Sequence, residues 1–339
     1  MRDFISGRRA ASRRVSAPGA KDAANRSWAR HIGVLPVLGV LVAGTLVAAA
    51  GPVPDSVIFI DRGKTYNDRG QWDSAIHELD RAIKLAPYSY NAFLNRGNSY
   101  RGKGDTEHAI EDYNEAIRLN PLGALAYLHR GKVYNDKGEF ERAIQDFDSA
   151  VRLDVTDANA FLNRANSYRA LGDDDRALLD YGQALKRNPN DAVTYINRGK
   201  VYNDKGQYDL AIKDFDKAIK LNSHDANAFL NRGNAYHGKG KMDLAIRDYD
   251  QAIKLNKNDS VTFINRGKAY NDKGEYDLAI ADFDHAIEMN PKDANAFLNR
   301  GNAYRAKGDQ DHATRDYEEA RKIQHPNDTV AAAGSAGGR

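Results

Sequence analysis

The chain has 339 residues and a formal net charge of +3, from 50 Lys and Arg against 47 Asp and Glu, and it has no cysteine. Disulfides, thiolate metal sites, cysteine nucleophiles and lipidation on cysteine are therefore excluded, and the compartment could be reducing or oxidising. The charge is uneven: residues 1–31 carry eight Lys and Arg against Asp3 and Asp22, and everything after residue 50 is net −3, which argues against nucleic acid as a partner.

Residues 1–31 are rich in Arg, Ser and Ala without an apolar period and read as a disordered basic segment. Residues 32–50, IGVLPVLGVLVAGTLVAAA, carry no charge and are long enough to cross a bilayer. Basic residues crowd their N-terminal side, and Asp55 and Asp61 are the first charges beyond them. The positive-inside bias then keeps the N-terminus in the cytoplasm and sends the rest of the chain to the far, extracytoplasmic side. An uncleaved transmembrane anchor is the expectation. The alternative is a signal cleaved after Ala48-Ala49-Ala50, which would release a soluble exported protein. The pairs Arg8-Arg9 and Arg13-Arg14 do not make a twin-arginine signal, because the apolar core begins too far downstream. Residues 51–55 are a short linker stiffened by Pro52 and Pro54.

From residue 56 a pattern of thirty-four residues repeats eight times, over 56–89, 90–123, 124–157, 158–191, 192–225, 226–259, 260–293 and 294–327. A fixed period of this length sets the architecture before any single motif does. Residues 328–339 form a small, flexible tail. Numbering positions 1–34 within each copy, position 4 is always aromatic (Phe59 to Phe297) and position 11 always Tyr (Tyr66 to Tyr304). Position 8 is Gly or, once, Ala165, and positions 4, 8 and 11 share one helical face. Position 15 is always Gly, from Gly70 to Gly308, where a left-handed residue is predicted to end the first helix. A second helix follows with Ala at 20 and 27 and an apolar or aromatic residue at 24; the small residues at 8, 20 and 27 let the two helices close. Each copy is thus an antiparallel helix pair that cannot bury its faces alone, and the pattern predicts an all-α solenoid.

Gly or Ala at 8, Tyr at 11, Ala at 20, an aromatic at 24, Ala at 27 and, in four copies, Pro87, Pro121, Pro189 or Pro291 at 32 give the chain its family likeness. All eight copies resemble the tetratricopeptide repeat. The resemblance implies a right-handed superhelix of tandem helix-turn-helix repeats whose concave face, lined by the first helices, holds peptides or partner proteins. One departure is informative: position 7, usually Leu in this family, is Arg in every copy, and position 23 is acidic in every copy. Arg96 with Asp112, Arg130 with Asp146, Arg164 with Asp180, Arg198 with Asp214, Arg232 with Asp248, Arg266 with Asp282 and Arg300 with Asp316 are predicted to meet across the two helices as half-buried ion pairs. In the first copy the pair is Arg62 with Glu78. In the last, Thr314 and Arg321 replace apolar residues at 21 and 28, giving the polar outer face a terminal repeat needs. Ile58 and Ile60 have no preceding copy and call for cover by a membrane or a partner.

Positions 2, 6, 9 and 13 form one stripe of the first helix, which by the resemblance lines the groove. Here the copies alternate. Even copies carry Asn at 2, 6 and 9; odd copies carry Val or Leu at 2, Lys at 9, Asp at 13 and an aromatic at 17 (Trp72, Phe140, Tyr208, Tyr276). The unit is a pair of copies, four times over. The groove candidates are Asn95, Asn98, Asn163, Asn166, Asn197, Lys200, Asn231, Asn234, Asn265, Lys268, Asn299 and Asn302. A carboxamide offers donors and an acceptor that match a peptide bond, so a scaffold that grips the backbone of protein or peptide partners is the expectation. A soluble exported protein that binds peptides or glycans and a structural spacer with a merely solvated groove are the alternatives. Lys at 9 and Asp at 13 are expected to pair within their helix. Ile or Leu at position 5 throughout excludes the family's clamp for chaperone C-terminal carboxylates, which needs Lys there. No catalytic, metal or cofactor site is expected: the nine His are scattered, the acids follow the repeat, and the glycines are assigned to positions 8 and 15 or to linkers. The chain therefore does not read as an enzyme, and the sequence says nothing of self-association.

Overall fold

The computed structural model describes residues 53–325, so the readings of 1–31 and 32–50, as well as that of the tail at 328–339, fall outside the described residues. Within them run sixteen α-helices and no strand. The first two copies fold as α1 (Asp55–Asp68) with α2 (Trp72–Leu85) and α3 (Tyr90–Lys103) with α4 (Thr106–Leu119). Copies three and four are α5 (Ala124–Asp136) with α6 (Phe140–Leu153) and α7 (Ala158–Ala170) with α8 (Asp174–Arg187). Next come α9 (Ala192–Asp204) with α10 (Tyr208–Leu221) and α11 (Ala226–Gly238) with α12 (Met242–Leu255). The last four are α13 (Ser260–Asp272) with α14 (Tyr276–Met289) and α15 (Ala294–Lys307) with α16 (Gln310–Gln324). Each helix packs chiefly on its neighbours in sequence, which makes the assembly an all-α solenoid. No helix among the described residues is long and apolar enough to cross a membrane.

Local chemistry sets the helix ends. Asp157, Asp191, Asp225, Asp259 and Asp293 each accept a hydrogen bond from the backbone N–H two residues on, capping α7, α9, α11, α13 and α15. At the other end Gly70 sits at φ +69°, its N–H donating to the Asn67 carbonyl while the Gln71 N–H donates to that of Tyr66. This double closure satisfies carbonyls the helix leaves unpaired, and it needs a left-handed residue, hence a position-15 glycine at positive φ in every copy.

The two helices of a copy meet at position 8. A Cβ on Gly97 would stand 2.7 Å from the Tyr113 ring, and one on Gly233 2.6 Å from the Tyr249 ring, closer than side chains allow. The aromatic at 24 therefore lies against bare backbone, fully buried in six copies as Tyr113, Phe147, Tyr181, Phe215, Tyr249 and Phe283. The apolar interior is a row of small clusters, each built from one copy and the start of the next, such as Leu94, Ala109, Tyr113, Ala116, Ala126 and Val133.

Two sequence readings need correction. Ile60 is buried among Ala75, Leu79, Ala82 and Ala92, and of the two isoleucines only Ile58 is exposed, beside Val53 and Val57. Gly102, Gly182 and Gly238, all inside helices, fall outside the glycine assignment. Gly102 and Gly238, at position 13, give room to the Trp72 and Tyr208 rings of the preceding copy, whose atoms lie 2.7 and 2.5 Å from where a Cβ would be. At these two junctions the small residue at 13 and the aromatic at 17 are two halves of one contact.

Candidate functional site

A row of arginines joins the two helices of each copy. Arg96 donates from Nε and Nη2 to both carboxylate oxygens of Asp112 at 2.9 and 2.7 Å. The same two-pronged contact, between 2.6 and 2.9 Å, joins Arg130 to Asp146, Arg164 to Asp180, Arg198 to Asp214, Arg232 to Asp248, Arg266 to Asp282 and Arg300 to Asp316. Each guanidinium also lies between two rings of its own helix: Arg96 is 5.5 Å from the Phe93 centroid and 5.9 Å from that of Tyr100. The third prong crosses to the preceding copy. Nη1 of Arg96 donates to Asp80, of Arg164 to Asp148, of Arg232 to Asp216, of Arg266 to Asp250 and of Arg300 to Asp284, at 2.5 to 2.7 Å, and Arg130 uses Asn114. Position 25, which sequence reasoning missed, thus completes the arrangement. In Arg164, Arg232, Arg266 and Arg300 the hydrogen bonds to the position-23 Asp outweigh burial and hold the guanidinium well above its ordinary range. Burial conversely pushes the Asp112 and Asp282 carboxyls up, against the pull of their arginines. Arg198 faces Gly182 at position 25 and lacks the third prong; Arg62 has no preceding copy.

The asparagines divide their two edges. At position 6, Asn95, Asn163, Asn231 and Asn299 donate from Nδ2 to the carbonyls of Asn91, Asn159, Asn227 and Asn295, at 2.6 to 2.7 Å. At position 9, Asn98, Asn166, Asn234 and Asn302 accept at Oδ1 from the hydroxyls of Tyr113, Tyr181, Tyr249 and Tyr317, at 2.7 to 2.9 Å. The next odd copy joins in, as Asn197 and Asn265 donate to Asn166 and Asn234 at 3.4 and 3.1 Å. These bonds explain the alternation: position 24 is Tyr where position 9 is Asn, and Phe or Leu where position 9 is Lys. A buried phenol needs an acceptor, and the asparagine supplies it. The covariation was visible in the sequence.

The lysines behave otherwise than expected. Asp136 and Asp204 pair with Arg101 and Arg169 of the preceding copy at 3.5 and 3.2 Å, and Asp272 meets His237 at 2.8 Å. The in-helix pairs Lys132 with Asp136, Lys200 with Asp204 and Lys268 with Asp272 do not form. Position 12 of the even copies, Arg or His, reaches the acid first from across the junction. Half-buried Lys132 and Lys200 have ammonium groups held below their ordinary range, by burial first and then by Arg101 and Arg169. Between the first three copies a cavity of about 490 Å³ is lined by Trp72, Asn95, Asn98, Arg101, His129 and Asp136, with Lys64, Asn67, Asp68 and Gly102. His129 stacks on Tyr113, and burial, with Lys132 and Arg101 nearby, takes its pKa down to about 4, so it is neutral at physiological pH. Along the same stripe Leu125, Val193 and Val261 are about half exposed, an apolar point on each odd copy.

With this geometry in hand, comparison with known proteins gives one answer. A TPR repeat family model matches residues 63–104, 199–240 and 267–308, and further tetratricopeptide repeat models match 94–158, 158–191, 181–213, 226–259 and 294–324. No curated protein matches. Among solved structures, a tetratricopeptide repeat protein from Parabacteroides merdae is similar with a TM-score of 0.57 at 24% identity, over 72% of this chain and 96% of that one. The APC/C hetero-tetramer Cut9–Hcn1 gives 0.56 at 21%, over 80% of this chain and 53% of that one, and Pseudomonas aeruginosa pilF gives 0.52 at 21%, over 60% and 92%. At these identities the likeness is one of fold. The chain belongs to the tetratricopeptide repeat family, a non-catalytic scaffold fold for contacts between proteins.

Proposed function

We propose that the stripe of positions 2, 6, 9 and 13 holds an extended segment of a partner protein by its backbone. The observation that carries this reading is the division of labour in each asparagine. The scaffold fixes one edge of the carboxamide, to a carbonyl at position 6 or a tyrosine hydroxyl at position 9. Among the described residues the other edge, Oδ1 of Asn163 or Nδ2 of Asn166, has no partner. Side chains already locked in place cost little further ordering on binding, so such a row suits a peptide backbone. The half-exposed Leu125, Val193 and Val261 add an apolar contact for alternate side chains.

Changing Asn163, Asn231 and Asn299 to Ala in the full chain tests this, since these residues do not hold the buried tyrosines. Affinity for extended peptides, read by fluorescence anisotropy, is expected to fall about tenfold or more. Unchanged binding would end the groove reading and leave the asparagines as scaffold alone. We also propose, from the charge-free stretch 32–50 and its basic flank, that the repeats are tethered on the far side of a membrane. A mature N-terminus at Gly51 would instead establish an exported, released protein.

A further inference from the structure

We propose that the groove selects segments bearing acidic side chains, received at the even-to-odd junctions by Arg101 with Lys132 and by Arg169 with Lys200. This rests on the groove reading above and adds to it the chemistry of the partner. The argument is one of unbalanced charge. At the junction of copies two and three, Arg101 and Lys132 share one carboxylate of their own junction, Asp136, which Arg101 takes through Nη2 at 3.5 Å. The cavity wall from the first copy adds one charge of each sign, Lys64 and Asp68, and leaves the excess unchanged. Asp157 and Asp136 attract Lys132 from a distance, yet no carboxylate among the described residues pairs with it, and burial and Arg101 still hold its ammonium below the ordinary range. The junction of copies four and five repeats the arrangement, with Asp204 taken by Arg169 and Lys200 left over. At the third such junction His237 replaces the arginine, so the excess is weaker there.

A second observation is independent of charge counting. Arg101 Nε and His129 Nδ1 are buried without a hydrogen-bond partner, and both residues line the cavity between the first three copies. Buried polar groups are rarely left unpaired, so a missing acceptor is the simplest complement. His129 is neutral and can donate from one ring nitrogen, while Arg101 and Lys132 supply charge. A carboxylate there would accept from Arg101 Nε, neutralise the excess and relieve the mutual repulsion of Arg101 and Lys132. A glutamine or asparagine side chain would satisfy geometry but not charge. The site differs from a position-5 clamp, because every donor named here lies at position 6, 9 or 12.

The test uses the full chain and two labelled peptides, one of alternating alanine and glutamate and its alanine–glutamine counterpart. The glutamate peptide is expected to bind about tenfold more tightly at low salt, an advantage that shrinks as salt is raised. Lys132→Gln with Lys200→Gln should remove that advantage without lowering the melting temperature, since neither lysine makes an ion pair and burial already disfavours both charges, and Lys132→Arg with Lys200→Arg should restore it. Equal binding of the two peptides, with both weakened by the asparagine changes, would overturn this inference and leave the groove reading standing. Binding of neither peptide would overturn both.

Discussion

Arg232 and Arg62 hold the same position in the sixth and first copies, and they live in different worlds. Arg232 is 19% exposed, grips Asp248 with two prongs at 2.7 Å, reaches Asp216 of the fifth copy at 2.6 Å and lies between Phe229 and Tyr236. Arg62 is 58% exposed and approaches Glu78 no closer than 3.7 Å, while Arg81 takes the same carboxylate at 3.1 Å. The difference has two sources. Glu is longer than the Asp of every other copy, and no preceding copy offers an acid to complete the fork. The arginine is therefore a junction device, whose contacts close only when a copy stands before it. In a solenoid, where each repeat touches only its neighbours, such a residue ties the stability of one unit to the presence of the next.

The largest expected effect breaks that comparison at its strong end. Asp248→Ala leaves the Arg232 guanidinium largely buried with Asp216 alone, and should cost about 3 kcal/mol, whereas Arg62→Ala should stay within about 0.5 kcal/mol. Urea denaturation reads both, and the interior change should also split the transition by weakening one link in the row. Equal costs would show that the fork contributes no more inside than at the end. Arg266→Ala adds a pH signature. It strands Asp282, whose carboxyl burial already pushes up. A folded-state pKa above the unfolded one favours the folded state at low pH, an advantage lost as pH rises through the folded pKa. The deficit of this variant should thus be greatest at neutral pH and narrow as the medium is acidified. A deficit independent of pH would mean that solvent reaches Asp282 once the arginine is gone.

Next in size is the helix contact on which the fork is mounted. Gly233→Ala puts a methyl group 2.6 Å from the Tyr249 ring and should cost about 1–2 kcal/mol. The value lies below that of a rigid clash because the fourth copy already carries Ala165 with Tyr181 fully buried behind it. No loss on thermal denaturation would show that the ring moves freely.

The fold and the position-7 to position-23 pattern were legible because they recur with the period and obey one spacing. What escaped was contact between copies. Position 25 is an exposed-looking acid within one copy, and only the stacking of the next brings it to an arginine. The Lys-to-Asp pairing within a helix failed for the same reason: Arg101 and Arg169 lie just over a full repeat from Asp136 and Asp204 in sequence and adjacent to them in space. The asparagine row was seen but half understood. Its alternation follows the tyrosines at 24 as much as any ligand, and a reading that paired positions 9 and 24 would have found this.

A smaller change sharpens the comparison by repair. Arg198 lacks its third prong because Gly182 stands where other copies have an acid or Asn114. A Cβ there meets nothing within 4 Å. Gly182→Asp should therefore relieve a glycine inside α8 and complete the fork, raising stability by about 1 kcal/mol. Repeating the substitution beside Arg198→Lys, which cannot hold the two-pronged geometry, should cut the gain to the helix contribution alone.

The smallest expected effect concerns a second device between copies. Ser99 and Ser167 donate to Oδ1 of Asn67 and Asn135 in the preceding copy, at 2.7 and 2.8 Å. In the later half of the chain the same position is Ala235 and Ala303, and Oδ1 of Asn203 and Asn271 is buried with no partner. An unmet buried acceptor costs about 1 kcal/mol or more, against roughly half that for a serine in a helix. Ala235→Ser should thus stabilise by about 0.5 kcal/mol and Ser99→Ala destabilise by a little more, both read by the urea midpoint. The two must move in opposite directions. If Ala235→Ser lowers the midpoint while Ser99→Ala leaves it unchanged, solvent already serves Asn203, and the two halves of the solenoid do not differ as this contact implies.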